Sequence, residues 1–196
     1  MTKSISIFEP KKGFFISNEN LILIFLTVTL FILVILQRIP NFDFGNMITF
    51  ISIIWVLYIF GLLISNFFRY QHINGEFIGE MKLENDSILI EKKTYLINDI
   101  NEIEIYCEDI KGQFVNSTLE FSPHLSNGLN NVIRLKLKNG EKVSYSFLQT
   151  EREQIKYFKK ELTEYFTRGK MSWLHLLTIL DMNDYDEIQK FKKELK

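Results

Sequence analysis

Several residue types that build common functional sites are rare or missing in this chain of 196 residues. It contains no alanine and one cysteine, Cys107, so an intrachain disulfide framework is excluded. The neighbouring Glu108 and Asp109 should raise the pKa of that thiol, which favours a structural role over a nucleophilic one. The chain has no H-E-x-x-H, C-x-x-C, phosphate-loop or G-x-S-x-G pattern, so no metal and no cofactor are expected.

An excess of positive charge is also missing. The chain carries 23 Lys and Arg against 24 Asp and Glu, and residues 75–196 hold 18 of the basic and 21 of the acidic residues. A nucleic-acid-binding surface needs clustered positive charge to replace the counterions of the phosphates. This balance therefore argues against nucleic acid as a partner.

Two segments near the N-terminus have no charged residue at all. They cover residues 20–37 and 44–68 and consist mainly of Ile, Leu, Phe and Val. A membrane-spanning helix needs about 20 apolar residues, so both segments are long enough, and the lipid bilayer is an expected partner. A secretory signal is the alternative for the first segment, but its apolar run is longer than usual and no A-x-A cleavage site exists. Since neither span holds an ionisable residue, a transporter or pump is not indicated.

The connector between the two segments contains Pro40, Asp43 and Gly45, which are typical of a tight turn. We therefore predict a two-helix transmembrane hairpin over residues 19–70, preceded by an N-terminal cytoplasmic tail over residues 1–18. Basic residues are more frequent before and after the hairpin than in the connector, which favours a multi-pass protein of the inner cell membrane with both termini in the cytoplasm. The residues counted are Lys3, Lys11, Lys12, Arg69 and Lys82 outside the connector and Arg38 inside it.

After Gly75 the apolar residues alternate with polar ones. Examples are Ile103 and Ile105 between acidic residues, and the series Ile133, Leu135 and Leu137 between basic residues. A period of two is typical of antiparallel strands with one face in water. The pair Asn139-Gly140 separates two such strands and predicts a type I′ hairpin turn.

A helix is predicted after the last strand. Thr150 and Glu153 match a capping box, and apolar residues then follow at helical spacing. These residues are Ile155, Phe158, Leu162 and Phe166. The helix should cover one face of the sheet.

Residues 169–196 form a predicted C-terminal helical extension. Residues 173–180 are apolar on several sides, which indicates a helix packed in the core or an oligomer contact. A final helix can be capped by Asn183 and Asp186 and carries an apolar stripe of Ile188, Phe191 and Leu195. Since its other surface is basic, this helix can lie on a negatively charged leaflet, and the alternative is that it packs on its own domain.

The order of several short strands followed by one amphipathic helix resembles pleckstrin-homology-like (PH-like) domains. Together with the local sequence pattern "LENDSILIEKKTYLINDINEIEI" from residue 83, this order makes the chain similar to a group of bacterial membrane proteins. These proteins join two transmembrane helices to a PH-like domain, and many of them are of unknown function. The resemblance implies a membrane α-helical hairpin plus an α+β domain. In it, residues 75–168 form an antiparallel PH-like split barrel closed by a C-terminal helix. Another small sheet-and-helix domain is the alternative.

Two groups of residues are candidates for partner or lipid contact. Lys92 and Lys93 lie at a predicted turn and can contact anionic headgroups. The first hairpin turn, Glu84 to Ser87, is acidic and polar, which does not favour inositol-phosphate recognition. The least regular region, residues 111–131, contains a possible short strand over residues 114–121 and four candidate contact residues. These four are Phe114, Phe121, His124 and Leu125.

The sequence thus favours a membrane-anchored, non-enzymatic interaction or scaffold protein with an unidentified protein partner. Two alternatives stay open. The chain can be an accessory subunit of a membrane complex, for which uncharged helices are suited. It can also be an enzyme that uses acids such as Asp99, Glu102 or Asp109, in which case buried carboxylates should cluster in a pocket.

Overall fold

The computed structural model describes residues 3–40, 43–115 and 121–195. It divides into two compact units. The sheet domain consists of residues 1–11, 74–113 and 126–196, and the helical unit consists of residues 12–73 and 114–125. Each unit is therefore built from separate parts of the chain.

The sheet domain is built on one seven-stranded antiparallel sheet. Its spatial strand order is β4-β3-β2-β1-β7-β6-β5. The strands are β1 (Ile5–Pro10), β2 (Gly75–Leu83), β3 (Ser87–Ile90), β4 (Lys93–Leu96), β5 (Ile100–Tyr106), β6 (Asn131–Leu137) and β7 (Lys142–Phe147). The predicted alternation is confirmed, because Ile103, Ile105, Ile133 and Leu135 are buried while the charged residues between them are not.

The first strand differs from the prediction. Residues 1–18 were expected to be a tail, but Ile5–Pro10 lies at the centre of the sheet and pairs with both β2 and β7. Ile5 and Ile7 are fully buried in the core. Their alternation with Ser4 and Ser6 covers too few residues to give a distinct period-two signal. The strand is secured by long-range pairing rather than by its local pattern.

The predicted closed split barrel is also corrected, because the sheet is open. Its terminal strands are β4 and β5. The free edge of β5 is occupied by other groups of the same domain: Ile103 N–H donates to the Lys170 carbonyl at 2.8 Å, and Ile105 N–H donates to Nε2 of His175 at 2.8 Å. These bonds satisfy edge donors that strand pairing would otherwise use.

The turn between β6 and β7 holds Asn139 and Gly140, as predicted, but it is not a type I′ turn. Only Gly140 has a positive φ, at 90°. Leu137 N–H donates to the Glu141 carbonyl at 2.8 Å, and Gly140 N–H donates back to the Leu137 carbonyl at 3.0 Å. This is the geometry of a three-residue hairpin loop that ends in a glycine bulge.

The helix after β7 begins later than predicted. A 3₁₀ turn spans Ile155–Phe158, and α3 follows over Lys159–Thr167. Thr150 is bonded to the side chain of Gln154 rather than that of Glu153: its backbone N–H donates to Oε1 at 2.8 Å. The predicted apolar face is confirmed, since Ile155, Phe158 and Leu162 are buried and Phe166 packs against the core.

The C-terminal extension is part of the same core. It forms α4 (Trp173–Ile179) and α5 (Tyr185–Glu194). The buried residues include Leu176 and Ile179 from α4 and Phe191 from α5. The cap of α5 is Asp184, whose side chain accepts from the N–H groups of residues 186 and 187, rather than the predicted pair. Of the two alternatives for the last helix, its apolar stripe packs on its own domain.

The helical unit contains α1 (Asn18–Leu36) and α2 (Gly45–Asn66). Both helices have a mean hydropathy of 2.6 and are long and apolar enough to cross a membrane. Ser17 caps α1, while the hydroxyls of Thr27, Thr29 and Thr49 donate hydrogen bonds to the backbone of their own helices. The predicted connector turn lies partly outside the described residues, since residues 41 and 42 are not among them.

Polar side chains join the two helices of the pair. Trp55 donates Nε1–H to the hydroxyl of Thr27 at 2.9 Å, and the Tyr58 hydroxyl donates to the Glu19 carbonyl at 3.0 Å. Just beyond the end of α2, the Arg69 guanidinium is hydrogen-bonded to the Glu19 carboxylate. The two helices are thus linked by directional bonds as well as by packing, which is how helices associate when the surrounding medium is as apolar as their side chains.

Candidate functional site

The sheet domain contains a groove of about 850 Å³ at the end of β5. Its walls are the chain after β5, the start of the β7–α3 connection and α4. Apolar side chains of Ile105, Ile155 and Ile179 lie among polar and charged ones. The principal polar lining residues are Cys107, Glu108, Gln149, Arg152, Lys156, His175, Thr178 and Asp181. A groove of this volume is large enough for a short peptide segment or a small ligand.

The charges in the groove are of both signs and partly paired. Asp181 lies 3.6 Å from Nε of Arg152 and 3.7 Å from Nζ of Lys156. Lys156 also contacts Glu153 at 2.9 Å. Because Arg152 and Lys156 already have carboxylate partners, neither offers the unpaired positive charge that a polyanion would require.

Gln149 is the most deeply buried polar residue of the groove. Its side chain is 2% exposed, and its Oε1 has no hydrogen-bond partner among the described residues. Its backbone is fixed on both sides, since its N–H donates to the Gly128 carbonyl and its carbonyl accepts from Lys111, each at 2.9 Å. A buried acceptor without a donor costs about 1–3 kcal/mol.

His175, from α4, and Cys107, directly after β5, both line the groove. His175 Nε2 accepts from Ile105 N–H, which requires the neutral ring. Burial lowers the pKa of His175, against the opposing effect of Glu104 and Glu102. Burial, with Glu108 and Asp181, raises the pKa of the Cys107 thiol to about 11. The expected direction for Cys107 is confirmed, and the thiol is protonated at neutral pH.

A polar cluster fixes the loop that begins beside this groove. The buried Asn131 donates Nδ2–H to the carbonyls of Asp109 at 2.7 Å and Gly128 at 2.9 Å, and its Oδ1 accepts from Asp109 N–H at 2.9 Å. The Asp109 carboxylate accepts from the Ser126 hydroxyl and from the N–H of residue 130. A side chain at Gly128, where φ is +75°, would lie 2.5 Å from the Gln149 carbonyl. Asp109 is thus engaged in holding the loop.

The other acids proposed for an enzyme are solvent-facing, since Asp99 and Glu102 are exposed. Within the described ranges, no group of three or more His, Cys, Asp and Glu side chains is placed to hold a metal ion. The arrangement predicted for the enzyme alternative, a set of buried carboxylates in one pocket, is not what these residues form.

The candidate basic residues lie where the sequence predicted them, at a turn. Lys92 and Lys93 are exposed between β3 and β4, where Glu91 has a φ of 55°. The acidic β2–β3 turn is bonded within the domain: Asp86 accepts from Arg168 at 2.8 Å, and the Tyr165 hydroxyl donates to the Glu84 carbonyl at 2.6 Å. Lipid contact through the two lysines stays a prediction.

The other candidates belong to the helical unit. Phe114 and Leu125 form an isolated antiparallel bridge, and Leu125 also bridges to Tyr70 in parallel orientation. His124 N–H donates to the Asn66 carbonyl at 2.9 Å. Phe121 is partly exposed, and the predicted strand over residues 114–121 lies mostly outside the described residues. The structure therefore gathers three of these four residues at the end of α2.

Sequence reasoning missed the groove. Its lining residues come from the β5–β6 connection, the β7–α3 connection and α4, which are far apart in the chain and share no motif. The apolar pattern of residues 173–180 predicted burial of α4, but it does not indicate which polar residues of that helix border a cavity. Comparison of the chain with protein-family models, curated proteins and solved structures finds no match.

Proposed function

We propose that this protein is a membrane-anchored interaction module whose helical unit spans the inner cell membrane as a hairpin. The observation that carries the proposal is the insertion of this hairpin between two paired strands. Pro10 at the end of β1 is paired with Gly75 at the start of β2, and Lys11 N–H donates to the Asn74 carbonyl at 3.0 Å. The chain therefore leaves and re-enters the sheet domain at neighbouring points, as two crossings of a bilayer require.

The surface of the helices supports the same proposal. Only 6% of the residues in the apolar window of each helix are buried, and large side chains such as Phe31, Leu57 and Phe60 are exposed along them. Exposed apolar surface is unfavourable in water by about 25 cal/mol per Å². Lipid removes that penalty, and both helices satisfy their backbone groups internally. The excess of Lys and Arg outside the connector supports cytoplasmic termini.

The proposal includes a PH-like identity for the sheet domain. Seven antiparallel strands followed by a helix agree with the element order that such domains show. The sheet of this domain is open between β4 and β5 and so differs from a fully closed barrel. The domain provides a rigid support for the groove at the end of β5, since the loop base, the 3₁₀ turn and α4 are all tied to its core.

We place the protein-binding function in that groove. Paired charges of both signs around apolar side chains suit a protein segment, which offers apolar, charged and amide groups together. The binding role is therefore non-enzymatic: the groove holds a partner while the hairpin keeps it beside the bilayer.

Membrane integration is tested by alkaline carbonate extraction of native membranes. We expect the full-length chain to stay in the pellet. Topology is tested in a Cys107→Ala chain that carries one new cysteine, either Asn139→Cys or Asp43→Cys. Whole cells that express each variant are labelled with a membrane-impermeant maleimide. We expect Asp43→Cys to be labelled and Asn139→Cys to be labelled only after lysis. Release by carbonate would contradict the anchor, and the reverse labelling pattern would contradict the orientation.

The groove is tested by affinity capture from detergent-solubilised native membranes with three full-length chains. Arg152→Glu reverses a charge in the groove, and Lys138→Glu makes the same change at an exposed turn outside it. A partner retained by the wild type and by Lys138→Glu but lost by Arg152→Glu supports the groove as the binding site. Equal recovery with all three chains places the partner elsewhere on the protein.

A further inference from the structure

The segment 114–125 comes from the connection between two sheet strands, yet it folds as part of the helical unit. Backbone hydrogen bonds attach it to the residues that follow α2. Leu125 N–H donates to the Arg69 carbonyl at 3.1 Å, and Gln71 N–H donates to the Leu125 carbonyl at 2.7 Å. The Asn66 carbonyl accepts from His124 at 2.9 Å. The described part of this segment is thus held at the level where α2 ends.

Aromatic rings cluster at the same level. The ring of Phe114 stacks on His124 with 5.2 Å between centroids, and Phe67 lies 4.9 Å from His124 and 6.1 Å from Phe114. These contacts do not bury the cluster. Phe114 and Phe67 are each 52% exposed, Phe121 is 37% exposed and Phe68 is 77% exposed. The rings are therefore ordered by one another while much of their surface is uncovered.

The start of α1 adds further rings at this end of the hairpin. Phe14 and Phe15 precede the Ser17 cap and are 93% and 49% exposed. The ring of Phe15 lies 5.7 Å from that of His72, which follows α2. Three separate chain segments thus place exposed aromatic side chains beside the two helix ends that lie away from the connector. We call these rings, Phe14, Phe15, Phe67, Phe68, Phe114 and Phe121, the aromatic collar.

We infer that the aromatic collar lies at the boundary between the headgroups and the acyl chains of the bilayer, and that residues 114, 115 and 121–125 contact lipid there. This inference rests on the proposed membrane-spanning function of the hairpin. The collar is continuous with the two helices, so its rings meet the boundary where the hydrocarbon ends. These exposed Phe rings would be unfavourable in water, and apolar faces that carry Phe lie at the boundary between headgroups and acyl chains. Lys12, two residues before Phe14, adds attraction to anionic headgroups.

The segment 114–125 leaves and re-enters the sheet domain at neighbouring residues. The two ends of the segment are fixed in that domain, where Gly112 N–H donates to the Ser126 carbonyl and Ser126 N–H donates to the Gln113 carbonyl, at 2.9 and 2.8 Å. The polar cluster around Asn131 secures the same point. The described residues between these two fixed ends fold with the helical unit.

The test uses the two native tryptophans as internal references in the full-length chain, reconstituted in vesicles of phosphatidylcholine and phosphatidylglycerol. The reporter is Phe121→Trp in a chain with Trp55→Phe and Trp173→Phe. Trp55 alone reports the span. Trp173 alone reports a ring covered by protein, since it stacks on Phe191 at 5.7 Å and lies 5.4 Å from Phe166. Each chain is measured with lipids brominated close to the headgroup and with lipids brominated deep in the acyl chains.

With bromine close to the headgroup, we expect the fluorescence of the tryptophan at residue 121 to be quenched at least about twofold more than that of Trp173. We also expect bromine close to the headgroup to quench the tryptophan at residue 121 more than bromine deep in the acyl chains does. If the tryptophan at residue 121 is quenched no more strongly than Trp173, the inference is overturned. Quenching of Trp55 in the same experiment would still support the membrane anchor. Blue-shifted reporter emission without bromine quenching would overturn it in favour of a protein covering the collar. Stronger quenching by deep bromine would also overturn it, since the segment would then lie below the headgroups. An unquenched Trp55 would refute the proposed function itself.

Discussion

Lys11 donates its backbone N–H to the Asn74 carbonyl at 3.0 Å, although the entire helical hairpin separates these two residues in the sequence. The bond continues the antiparallel pairing of β1 with β2, whose last pair is Pro10 with Gly75. The hairpin is therefore an insertion into a β-hairpin of the sheet domain. It follows that the strand before the insertion should matter as much for the stability of the sheet domain as any strand after it.

The contribution of β1 can be measured with Ile7→Ala. Ile7 is fully buried between β2 and β7, so truncation should lower the free energy of unfolding of the sheet domain by about 2–5 kcal/mol. The measurement is denaturant unfolding of the full-length chain in detergent, followed by Trp173 fluorescence in a Trp55→Phe background. Glu9→Ala on the same strand is exposed and should change stability by less than about 0.5 kcal/mol. Equal effects of the two substitutions would show that β1 is a tail.

The polar cluster at the loop base predicts an effect of Asn131→Leu. Leucine has nearly the same size but leaves the N–H and carbonyl of Asp109 and the carbonyl of Gly128 without their partner. Each buried group left unpaired costs about 1–3 kcal/mol, so residues 109–130 should open more often. Hydrogen exchange measured by mass spectrometry should be faster in this loop. The side chain of Asn130 is exposed, so Asn130→Leu is the matched control; if both variants exchange alike, the cluster does not hold the loop.

The bond from Ile105 to His175 predicts a pH dependence. Because the folded pKa of His175 lies below its ordinary value of 6.5, the unfolded chain binds more protons as the pH falls. The stability that the neutral ring of His175 contributes is fully present above its pKa in the unfolded chain. It is lost as the pH falls from that value through the lower pKa in the folded chain. Thermal unfolding of the wild type should therefore shift to lower temperature between about pH 7 and pH 5.

The variant for this test is His175→Gln, whose amide oxygen can accept from Ile105 N–H without titrating in this range. Its unfolding temperature should depend less on pH than that of the wild type. His72→Gln is the control for a histidine outside the sheet domain. An unchanged pH dependence in His175→Gln would show that another group is responsible.

The raised pKa of Cys107 predicts slow alkylation. A pKa of about 11 in place of the ordinary 9.0 makes the thiolate fraction about a hundredfold smaller at about pH 8, and partial burial restricts access further. Iodoacetamide should therefore modify the native chain at least about a hundredfold more slowly than the chain unfolded in denaturant. The rate is followed by intact-mass spectrometry. Comparable native and unfolded rates would mean that the thiol is neither buried nor disfavoured as the anion.

Part of the fold could be predicted from local patterns because the cause is local. The two long apolar helices are recognisable because an uncharged run such as residues 44–68 gives the same signal whatever the rest of the chain does. The strands at Ile103 and Ile133 are recognisable because alternation repeats over enough residues to define a face. Gly140 marks a turn because few residues other than glycine adopt its φ.

The candidate site could not be predicted in the same way. Gln149, Arg152 and His175 border one groove only because β5, the β7–α3 connection and α4 meet there. No spacing rule relates these positions, and their burial depends on neighbours that are distant in the chain. The residues Phe114 and His124 were singled out as contacts in a long loop, but their association with the end of α2 is a long-range pairing that the loop sequence does not encode.

The sequence by itself determined the solvent preference of each segment: which stretches favour lipid, which present one wet face, and which turn. Those preferences follow from the apolar content and periodicity of neighbouring residues. Only the tertiary structure decided that Ile5–Pro10 is a central strand, that the sheet is open at β4 and β5, and that residues 114–125 fold with the helices. These outcomes depend on hydrogen bonds between residues far apart in the chain, whose formation is set by the packing of the whole core.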